Sequence, residues 1–433
     1  MSKILFAKTT IPTTVLMSLL LVGQTSVAQS DSKEDRTKIQ QSIEKWLELP
    51  AADRPKFSSQ SFAGKSIGND DAAAIKTLLW EDYKKRIEAE RKQEWKDKKI
   101  TIGENSMRFD YKVFGEKPAN GRSLYISMHG GGSAAARVNE RQWQNQIKLY
   151  EPDEGVYLAP RAPTDAWNMW HKPHIDDFFA RVIQNAMVFE DVDPNRVYLM
   201  GYSAGGDGVY QMAPRMADAF AAAAMMAGHP NGVSPLNLRN IGFTIHMGEN
   251  DRAYKRNKIA GQWKEKLAKL AESDPGGYKH EVTIQKGMGH WMQREDAVAV
   301  PWMAKFSRNP LPEKIAWRQG GVTRSNFYWL AAAEGKQQKG STIAIKRKEN
   351  RFEIESFDKL ESIRIRMNST MVDFSKPVEI SVGDKVMSVK AEQTAGLIYQ
   401  TIEDRGDPGL IFSSEIVFEL PESEPAAESK ETK

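Results

Sequence analysis

Residues 196–208 read RVYLMGYSAGGDG, and this stretch decides the fold. Val197–Met200 form a short apolar run typical of a buried strand, and the segment from Gly206 to Phe220 has a helical pattern. Between them stands Gly-x-Ser-x-Gly, which in a strand–turn–helix context is a nucleophile elbow. The turn is too tight for side chains at the flanking positions, so glycine stands at both ends. The stretch predicts that Ser203 is a nucleophile above the carboxyl edge of a sheet.

Short apolar runs on either side of this stretch alternate with helical patterns. The runs are Leu124–Met128, Val156–Ala159, Val197–Met200, Ala221–Met226, Phe243–Met247 and Val282–Ile284, and the helical segments include Asp176–Glu190 and Ile259–Leu270. Buried strands alternating with helices imply a mostly parallel sheet covered on both faces. The predicted fold class is therefore α/β.

A glycine-rich turn directly follows the predicted strand Leu124–Met128. Gly130, Gly131 and Gly132 allow backbone N–H groups to approach a carbonyl oxygen, and the amide of Ala204 supplies the other donor of an oxyanion hole. The alternative is a phosphate-binding loop. No G-x-G-x-x-G follows and no Lys-Ser/Thr pair closes the motif, which favours the oxyanion hole.

A catalytic serine needs a base, and the base needs a carboxylate that orients it. Of the seven histidines we choose His290, in a glycine-rich loop after a predicted strand, and we choose Asp251 as the acid. The order Ser203, Asp251, His290 is that of the α/β-hydrolase fold, and all three residues follow carboxyl ends of predicted strands. Glu249 is the second candidate acid, and Asp207 is a weaker one because it lies in the helix after the nucleophile.

Aromatic residues are expected around this site. The segment with Trp167, Asn168 and Trp170 follows the strand Val156–Ala159 and should overhang the active-site edge, so we predict that these residues and Trp291 line a substrate pocket. The alternative is that the aromatic side chains pack in the core or at a domain junction.

Two further histidines invite a metal interpretation. His171 and His174 lie near Asp176 and Asp177, but their spacing is not a recognised zinc pattern, and the proposed triad needs no metal. We predict neither a metal nor an organic cofactor.

The first 28 residues have the layout of a secretory signal peptide. Lys3 and Lys8 precede an apolar run from Ile11 to Val22, and Ser26-Val27-Ala28 forms a small-x-small cleavage site. A membrane anchor is the alternative, but the run is shorter than the ~20 apolar residues that span a bilayer. We expect cleavage after Ala28, a secreted or periplasmic protein, and no integral membrane segment in the mature chain.

Patterning divides the rest of the chain. Residues 29–100 are predicted to form a helical N-terminal extension, in which Ile75, Leu79, Tyr83 and Ile87 make one apolar stripe. The catalytic domain is placed at 101–318. Apolar residues then alternate with period two, which predicts a small all-β domain over 319–420. The tail, 421–433, is rich in Glu, Ser, Ala and Lys and is expected to be disordered.

Composition excludes several classes of protein. The 433 residues allow about two to three domains. A net charge of +4 argues against a nucleic-acid binder held by a basic surface. The chain has no cysteine, which excludes disulfides, cysteine nucleophiles and Cys-ligated zinc.

The catalytic part resembles secreted bacterial α/β-hydrolases of the dienelactone-hydrolase and polyhydroxybutyrate-depolymerase-like esterase group. The matching motifs are residues 126–132, 201–208, 247–251 and 289–292, and the end of the chain resembles a β module that accompanies some such hydrolases. The resemblance implies that Ser203 is the nucleophile, Asp251 the acid and His290 the base. Dienelactone hydrolases have a cysteine nucleophile where this chain has serine, so the resemblance implies a serine ester hydrolase and no particular substrate.

We therefore expect a serine hydrolase that cleaves small or oligomeric carboxylic esters. Two other functions stay open from the sequence. The same triad serves peptidases and amidases. A protein that docks on a polymer or envelope component through its β module is the third possibility, although a complete triad argues against it.

Overall fold

An eight-stranded sheet forms the centre of the protein in the computed structural model, which describes residues 38–421. Its strands are β2 Lys99–Ile102, β3 Asn105–Phe114, β4 Arg122–Met128, β5 Gly155–Arg161, β6 Val192–Tyr202, β7 Ala222–Met226, β8 Gly242–Gly248 and β9 His280–Gln285, and they follow β1 Ser66–Ile67 in the chain. The order across the sheet is β2-β3-β5-β4-β6-β7-β8-β9. Strands β2 and β3 pair antiparallel with their neighbours, and the remaining pairs are parallel.

Both faces of this sheet are buried, which explains why its strands read as continuous apolar runs. Side chains alternate between faces along a strand. Leu124 and Ile126 of β4 belong to one hydrophobic core, whereas Tyr125 between them belongs to another on the opposite face. Val197 and Tyr198 of β6 divide in the same way. The predicted α/β fold with a mostly parallel sheet is confirmed.

Helices connect the strands and cover the sheet. The α-helices are α1 over 38–48, α2 Asn69–Lys96, α3 Ala136–Gln146, α4 His174–Phe189, α5 Ala204–Arg215, α6 Arg256–Ser273, α7 Ala299–Met303 and α8 Ala395–Arg405. Short 3₁₀ helices lie at Ala51–Asp53, Phe57–Ser59, Ala217–Ala219, Leu236–Asn240, Ala253–Lys255, Glu295–Val298 and Pro408–Leu410. In the described part of the chain, no helix has the length and apolar character of a membrane span.

Helix α2 of the N-terminal extension packs against α8 and α4. The predicted stripe of α2 is buried against Ile398 and Ile402 of α8, a helix from the far end of the chain. On another side, Glu94 of α2 accepts hydrogen bonds from Arg181 and Asn185 of α4. The extension therefore joins the catalytic domain to the C-terminal region.

Two small sheets make up most of the C-terminal region. The strands are β10 Lys314–Arg318, β11 Asn326–Phe327, β12 Leu330–Ala331, β13 Thr342–Lys348, β14 Arg351–Asp358, β15 Ser362–Met367, β16 Val378–Val382, β17 Lys385–Val389, β18 Gln393–Thr394 and β19 Ser414–Glu419. One sheet has the order β10-β13-β14-β16-β17 and the other β11-β12-β15-β19, while β18 pairs with β1. Residues predicted to alternate inward, such as Ile343, Ile345, Phe352 and Ile354, are buried.

The boundaries of this region differ from the prediction in two respects. Strand β10 was assigned to the catalytic domain, yet it pairs with β13 in the C-terminal sheet. Helix α8 lies inside the stretch expected to contain strands alone. Its helical side chains Ile398 and Ile402 follow a spacing of four, which is a short signal between two strand-rich segments.

The C-terminal region shares its core with the catalytic domain. One continuous cluster of buried side chains includes Tyr210 of α5 as well as Trp317 and Phe327. Buried Arg308 adds a polar link, because it hydrogen-bonds the backbone oxygen of Asp218 at 2.6 Å and the carboxylate of Asp407 at 3.0 Å. Two regions joined in this way support each other's folding.

The predicted signal peptide, residues 1–28, and nearly all of the predicted tail lie outside the described residues.

Candidate active site

Three loops at the carboxyl edge of the central sheet bring the predicted triad together. Ser203 follows β6, Asp251 follows β8, and His290 lies on the loop after β9. The Oγ of Ser203 lies 2.9 Å from Nε2 of His290, and Nδ1 of His290 lies 2.7 Å from Oδ2 of Asp251. Residues separated by 87 and 39 positions in the chain thus form one hydrogen-bonded series.

The serine stands on a strained turn. Ser203 has φ 59° and ψ −119°, a backbone conformation that costs a non-glycine residue on the order of 1–3 kcal/mol. Glycines make the turn possible, because a Cβ on Gly201 would lie 2.4 Å from the oxygen of Gly205, and one on Gly205 would lie 2.0 Å from the oxygen of Met128. The Ser203 N–H donates to the oxygen of Met226, which ties the turn to β7.

The predicted acid is buried and held in place by its neighbours. Asp251 is only 3% exposed, and its Oδ1 lies 3.7 Å from Nη1 of Arg256. Its backbone N–H donates to Gly248, and its backbone oxygen accepts from Asn257 at the start of α6. The carboxylate therefore faces His290 in one orientation, as is needed to hold the imidazole in a single tautomer.

The two other candidate acids have different partners. Glu249 accepts a hydrogen bond from the backbone N–H of Gly287 and thereby shapes the histidine loop. Asp207, in the first turn of α5, accepts from the backbone N–H of His229 and the amide of Asn231. Neither carboxylate hydrogen-bonds His290, so the structure brings Asp251 alone of the three to the imidazole.

Tyr202 supports the base, a role that sequence reasoning missed. Its hydroxyl donates to the backbone oxygen of His290 at 2.7 Å and accepts from the N–H of Met292 at 2.9 Å. Burial raises the pKa of Tyr202, so the hydroxyl keeps its proton. The residues in contact lie almost 90 positions apart in the chain, and no local pattern in the sequence predicts the contact.

The glycine loop lies directly against the nucleophile. A Cβ on Gly130 would come within 3.0 Å of the Ser203 Cβ. The N–H of Gly132 is already used, because it donates to Oδ1 of Asn139 at 2.8 Å. Within the described residues, the N–H groups of Gly130 and Gly131 have no acceptor in the protein. Ala204 is the first residue of α5, whose opening N–H groups lack intrahelical partners.

The donors available for an oxyanion are therefore Gly130, Gly131 and Ala204. Gly132, which was predicted to contribute, instead anchors the loop to α3. Gly131 and Gly132 have φ of 108° and 80°, and this left-handed course turns the Gly132 N–H toward Asn139.

His129 holds the start of the glycine loop in place. This residue is fully buried, its Nε2 accepts from the N–H of Ala162, and its Nδ1 lies 2.6 Å from the oxygen of Gly130. Because Nε2 accepts a hydrogen bond, Nδ1 carries the proton and donates to Gly130. Burial lowers the pKa of His129 to about 4, so the imidazole is neutral at pH 7.

The predicted pocket residues separate into two groups. Trp167 and Trp291 are 57% and 52% exposed, and they flank the glycine loop and the base. Asn168 is half-buried, and its backbone oxygen accepts from the N–H of His171 in the same turn. Trp170 is fully buried, and its indole N–H donates to the oxygen of His129 at 3.0 Å. The prediction that Trp170 lines the pocket is wrong, because the ring supports the loop from inside the core.

The histidines considered for metal binding pack against aromatic rings. His171 meets Trp167 edge to face at 5.4 Å between ring centroids, and His174 meets Phe178 at 6.1 Å. Among the described residues, no group of three or more His, Asp or Glu side chains has an arrangement that would hold a metal ion.

Comparisons with known proteins give structural likenesses alone. No protein-family model and no curated protein matches the chain. A thermostable esterase is similar at 18% identity and a TM-score of 0.38, over 48% of this chain and 62% of that one. The feruloyl esterase module of Clostridium thermocellum is similar at 13% identity and a TM-score of 0.36, over 48% and 86% of the two chains.

A third similar structure is LpqC, a poly(3-hydroxybutyrate) depolymerase from Bordetella parapertussis. It shares 19% identity at a TM-score of 0.34, over 47% of this chain and 86% of its own. These three similar proteins are two esterases and a depolymerase.

Proposed function

We propose that the protein is a serine hydrolase that cleaves carboxylic esters through an acyl-enzyme intermediate. The observation that carries the proposal is the hydrogen-bonded series from Ser203 through His290 to Asp251, set beside unpaired N–H groups of a glycine loop. Nucleophile, base, orienting acid and oxyanion donors then occupy the positions that acyl transfer requires.

In the first step, His290 Nε2 accepts the hydroxyl proton as Ser203 Oγ attacks the ester carbonyl. Asp251 stabilises the imidazolium that forms and keeps Nδ1 protonated. The carbonyl oxygen becomes an oxyanion that the N–H groups of Gly130, Gly131 and Ala204 face. The protonated His290 then gives its proton to the leaving alcohol, and the acyl group stays on Ser203.

In the second step, water replaces the alcohol. His290 accepts a proton from water, the hydroxide oxygen attacks the acyl carbon, and the same donors hold the second oxyanion. Collapse of this intermediate returns the proton to Ser203 and releases the acid. Each oxyanion donor is worth about 100- to 1000-fold in rate.

The open surroundings of the triad favour an exposed or bulky ester. The His290 side chain is 44% exposed, and more than half of the surface of Trp167 and of Trp291 is exposed. Exposed aromatic faces supply apolar contact area for the group next to the ester bond.

The decisive experiment compares Ser203→Ala with Ser388→Ala, a matched change on the exposed strand β17. Both proteins and the wild type are treated with a fluorophosphonate probe and assayed on nitrophenyl esters of increasing chain length and on a matched anilide. We expect labelling and ester turnover in the wild type and in Ser388→Ala, and neither in Ser203→Ala. Faster anilide cleavage would favour an amidase, and turnover retained by Ser203→Ala would exclude this mechanism.

Export is proposed from residues 1–28 on the sequence pattern alone. Sequencing the N-terminus of the protein recovered outside the cytoplasm of a producing bacterium tests the proposal. A mature chain beginning at Gln29 supports it, and an uncleaved chain that stays in the cytoplasm contradicts it.

A further inference from the structure

A cavity of about 270 Å³ lies between α5 of the catalytic domain and the loops around β10 of the C-terminal region. Four cationic side chains line it: Arg215, Arg318, Arg324 and Lys339. None of its lining residues in the described chain is Asp or Glu. We name this space the cationic cavity.

The charges of the cationic cavity are only partly neutralised. Arg215 lies 2.6 Å and Arg324 lies 3.1 Å from the two carboxylate oxygens of Asp176, so two guanidinium groups share one acid. Within the described residues, Arg318 and Lys339 form no ion pair. Asp177 also interacts electrostatically with Arg324, yet the described residues that line the cavity include four cations and no acid.

One cation of the cavity has an unused buried donor. The Arg215 side chain is only 7% exposed, and within the described part of the chain its Nε has no hydrogen-bond partner although it is shielded from bulk water. A buried donor without an acceptor costs about 1–3 kcal/mol, and a ligand oxygen would remove that cost. This unpaired N–H is evidence for an anionic ligand that is independent of the net charge.

The cavity wall is shaped by specific contacts between the two regions. Asn237 exchanges hydrogen bonds with the backbone of Arg318, at 2.7 Å and 3.0 Å. The side-chain amide of Gln319 accepts from the N–H of Arg324 at 2.8 Å and donates to the backbone oxygen of Arg324 at 2.7 Å. These two bonds close the loop between Arg318 and Arg324. The positions of Arg318 and Arg324 are thus fixed by the fold before any ligand arrives.

The cationic cavity is close to the nucleophile along two paths. Ser203 caps α5, and Arg215 at the end of the same helix lines the cavity, which places the two residues about 18 Å apart along the helix axis at 1.5 Å per residue. Asn231 also lines the cavity, and its amide donates to Asp207 in the first turn of α5.

The second path follows the aromatic side of the site. A Cβ on Gly132 would lie 3.1 Å from the Cα of Trp167, so the glycine loop contacts the segment that contains Trp167. Four residues later, the backbone oxygen of His171 accepts from Arg215 at 3.0 Å. The segment from Trp167 to His171 therefore connects the glycine loop with the cationic cavity.

We propose that the cationic cavity is a subsite for an oxyanion group, a carboxylate or a phosphate, carried by the ester substrate about 18 Å from the scissile carbonyl. The inference rests on the proposed esterase function and adds a substrate class to it. Guanidinium groups recognise both kinds of oxyanion through paired N–H donors. At about 270 Å³ the cavity holds an acidic end group while the rest of the substrate reaches along α5 to Ser203.

The test uses nitrophenyl esters of increasing length that end in a carboxylate, a phosphate or a neutral amide. The variant is the double change Arg318→Ala with Lys339→Ala, both at exposed positions, and the full chain is assayed. Arg215 is left in place, because its removal would leave the buried Asp176 carboxylate with one partner fewer. The control is Lys264→Ala with Lys266→Ala, which removes the same charge from the exposed face of α6.

We expect the wild type to prefer acidic esters of one chain length over the neutral amides of the same length. In the double variant, kcat/KM for those acidic esters should fall about tenfold while the neutral series is unchanged. The carboxylate and phosphate series show which oxyanion is preferred. Equal rates on acidic and neutral esters at every length, or an equal loss in the Lys264/Lys266 control, would overturn the inference and leave the esterase proposal standing.

Binding measurements decide the inference if the wild type cleaves none of these esters. Dodecanedioate and inorganic phosphate are then titrated calorimetrically into the wild type and the Arg318/Lys339 double variant. Binding of either anion that the double variant loses supports an oxyanion site without the esterase function. No binding of either anion refutes the site.

Discussion

Oδ1 of Asn139 accepts a hydrogen bond of 2.8 Å from the backbone N–H of Gly132. The bond joins the first turn of α3 to the glycine loop. It gives the N–H of Gly132, the third glycine of the motif, a structural role. It also requires glycine at 131, where a Cβ would lie 2.2 Å from the same oxygen. The two preceding N–H groups, those of Gly130 and Gly131, have no acceptor among the residues that the structure describes.

Asn139→Ala should lower kcat by about 10- to 100-fold with little change in KM. The oxyanion donors act on the transition state, so a displaced loop slows chemistry more than it weakens binding. Steady-state kinetics and thermal unfolding are measured together. The control is Asn350→Ala, which loses bonds to backbone oxygens of Asp373 and Lys376 in the C-terminal region and should lose stability alone. An unchanged kcat in folded Asn139→Ala would disprove the positioning role.

Asp251→Asn should reduce kcat/KM by about 1000- to 10,000-fold, because an amide in place of the buried carboxylate neither orients nor stabilises the imidazolium. Glu249→Gln is the matched change. The Glu249 side chain accepts a hydrogen bond from the backbone N–H of Gly287, so we expect Glu249→Gln to reduce kcat/KM tenfold or less. Initial rates on one activated ester suffice, and equal losses in the two variants would refute the assignment of the acid.

Gly205→Ala should destabilise the protein by about 3 kcal/mol, because its Cβ would lie 2.0 Å from the backbone oxygen of Met128. Gly261→Ala is the control within α6. Nothing lies within 4 Å of a Cβ at that position, and alanine should stabilise the helix by about 0.5–1 kcal/mol. The midpoints of urea unfolding report both changes. A stable Gly205→Ala protein would show that the elbow tolerates a side chain.

Buried His246 should make the protein less stable in acid. Burial lowers its pKa to about 4 from the ordinary value of 6.5, so between these pH values the unfolded chain binds more protons than the folded one. The free energy of unfolding therefore falls as the pH drops from about 6.5 to 4, by up to about 3 kcal/mol for this group. His246→Gln should show a shallower fall in melting temperature over that window. A slope identical to that of the wild type would contradict the prediction.

Arg308→Ala should destabilise the protein by about 3–5 kcal/mol, because it removes the cation that pairs with Asp407 between the two regions. Arg351→Ala removes an ion pair with Glu379 at the surface, where the arginine side chain is 79% exposed, and should cost less than about 1 kcal/mol. Chemical denaturation compares the two. A small effect at Arg308 would mean that the C-terminal region folds without this link.

Much of the catalytic edge could be predicted because its signals are local. The Gly-x-Ser-x-Gly turn, the glycine loop and the loops of Asp251 and His290 each follow a short apolar strand directly. Parallel strands bring their carboxyl ends to one edge of a sheet, so chain order alone predicted which side chains would meet there. The apolar stripe of α2 and the alternating apolar residues of β13 and β14 could likewise be predicted, because burial on one face imposes a period on the sequence.

The tertiary structure alone decided the contacts between residues distant in the chain. Tyr202 beneath the histidine loop, Asn139 on Gly132, and Trp170 inside the core have partners set by how helices and loops pack on the sheet. The cationic cavity is the clearest case, since Arg215 and Arg318 come from different regions that join through a shared core. Short-range patterning records which face of an element is buried. It carries no information about which partner covers that face. Local sequence patterns therefore predicted the fold and the meeting of Ser203, Asp251 and His290, while packing set the contacts that hold these residues in place.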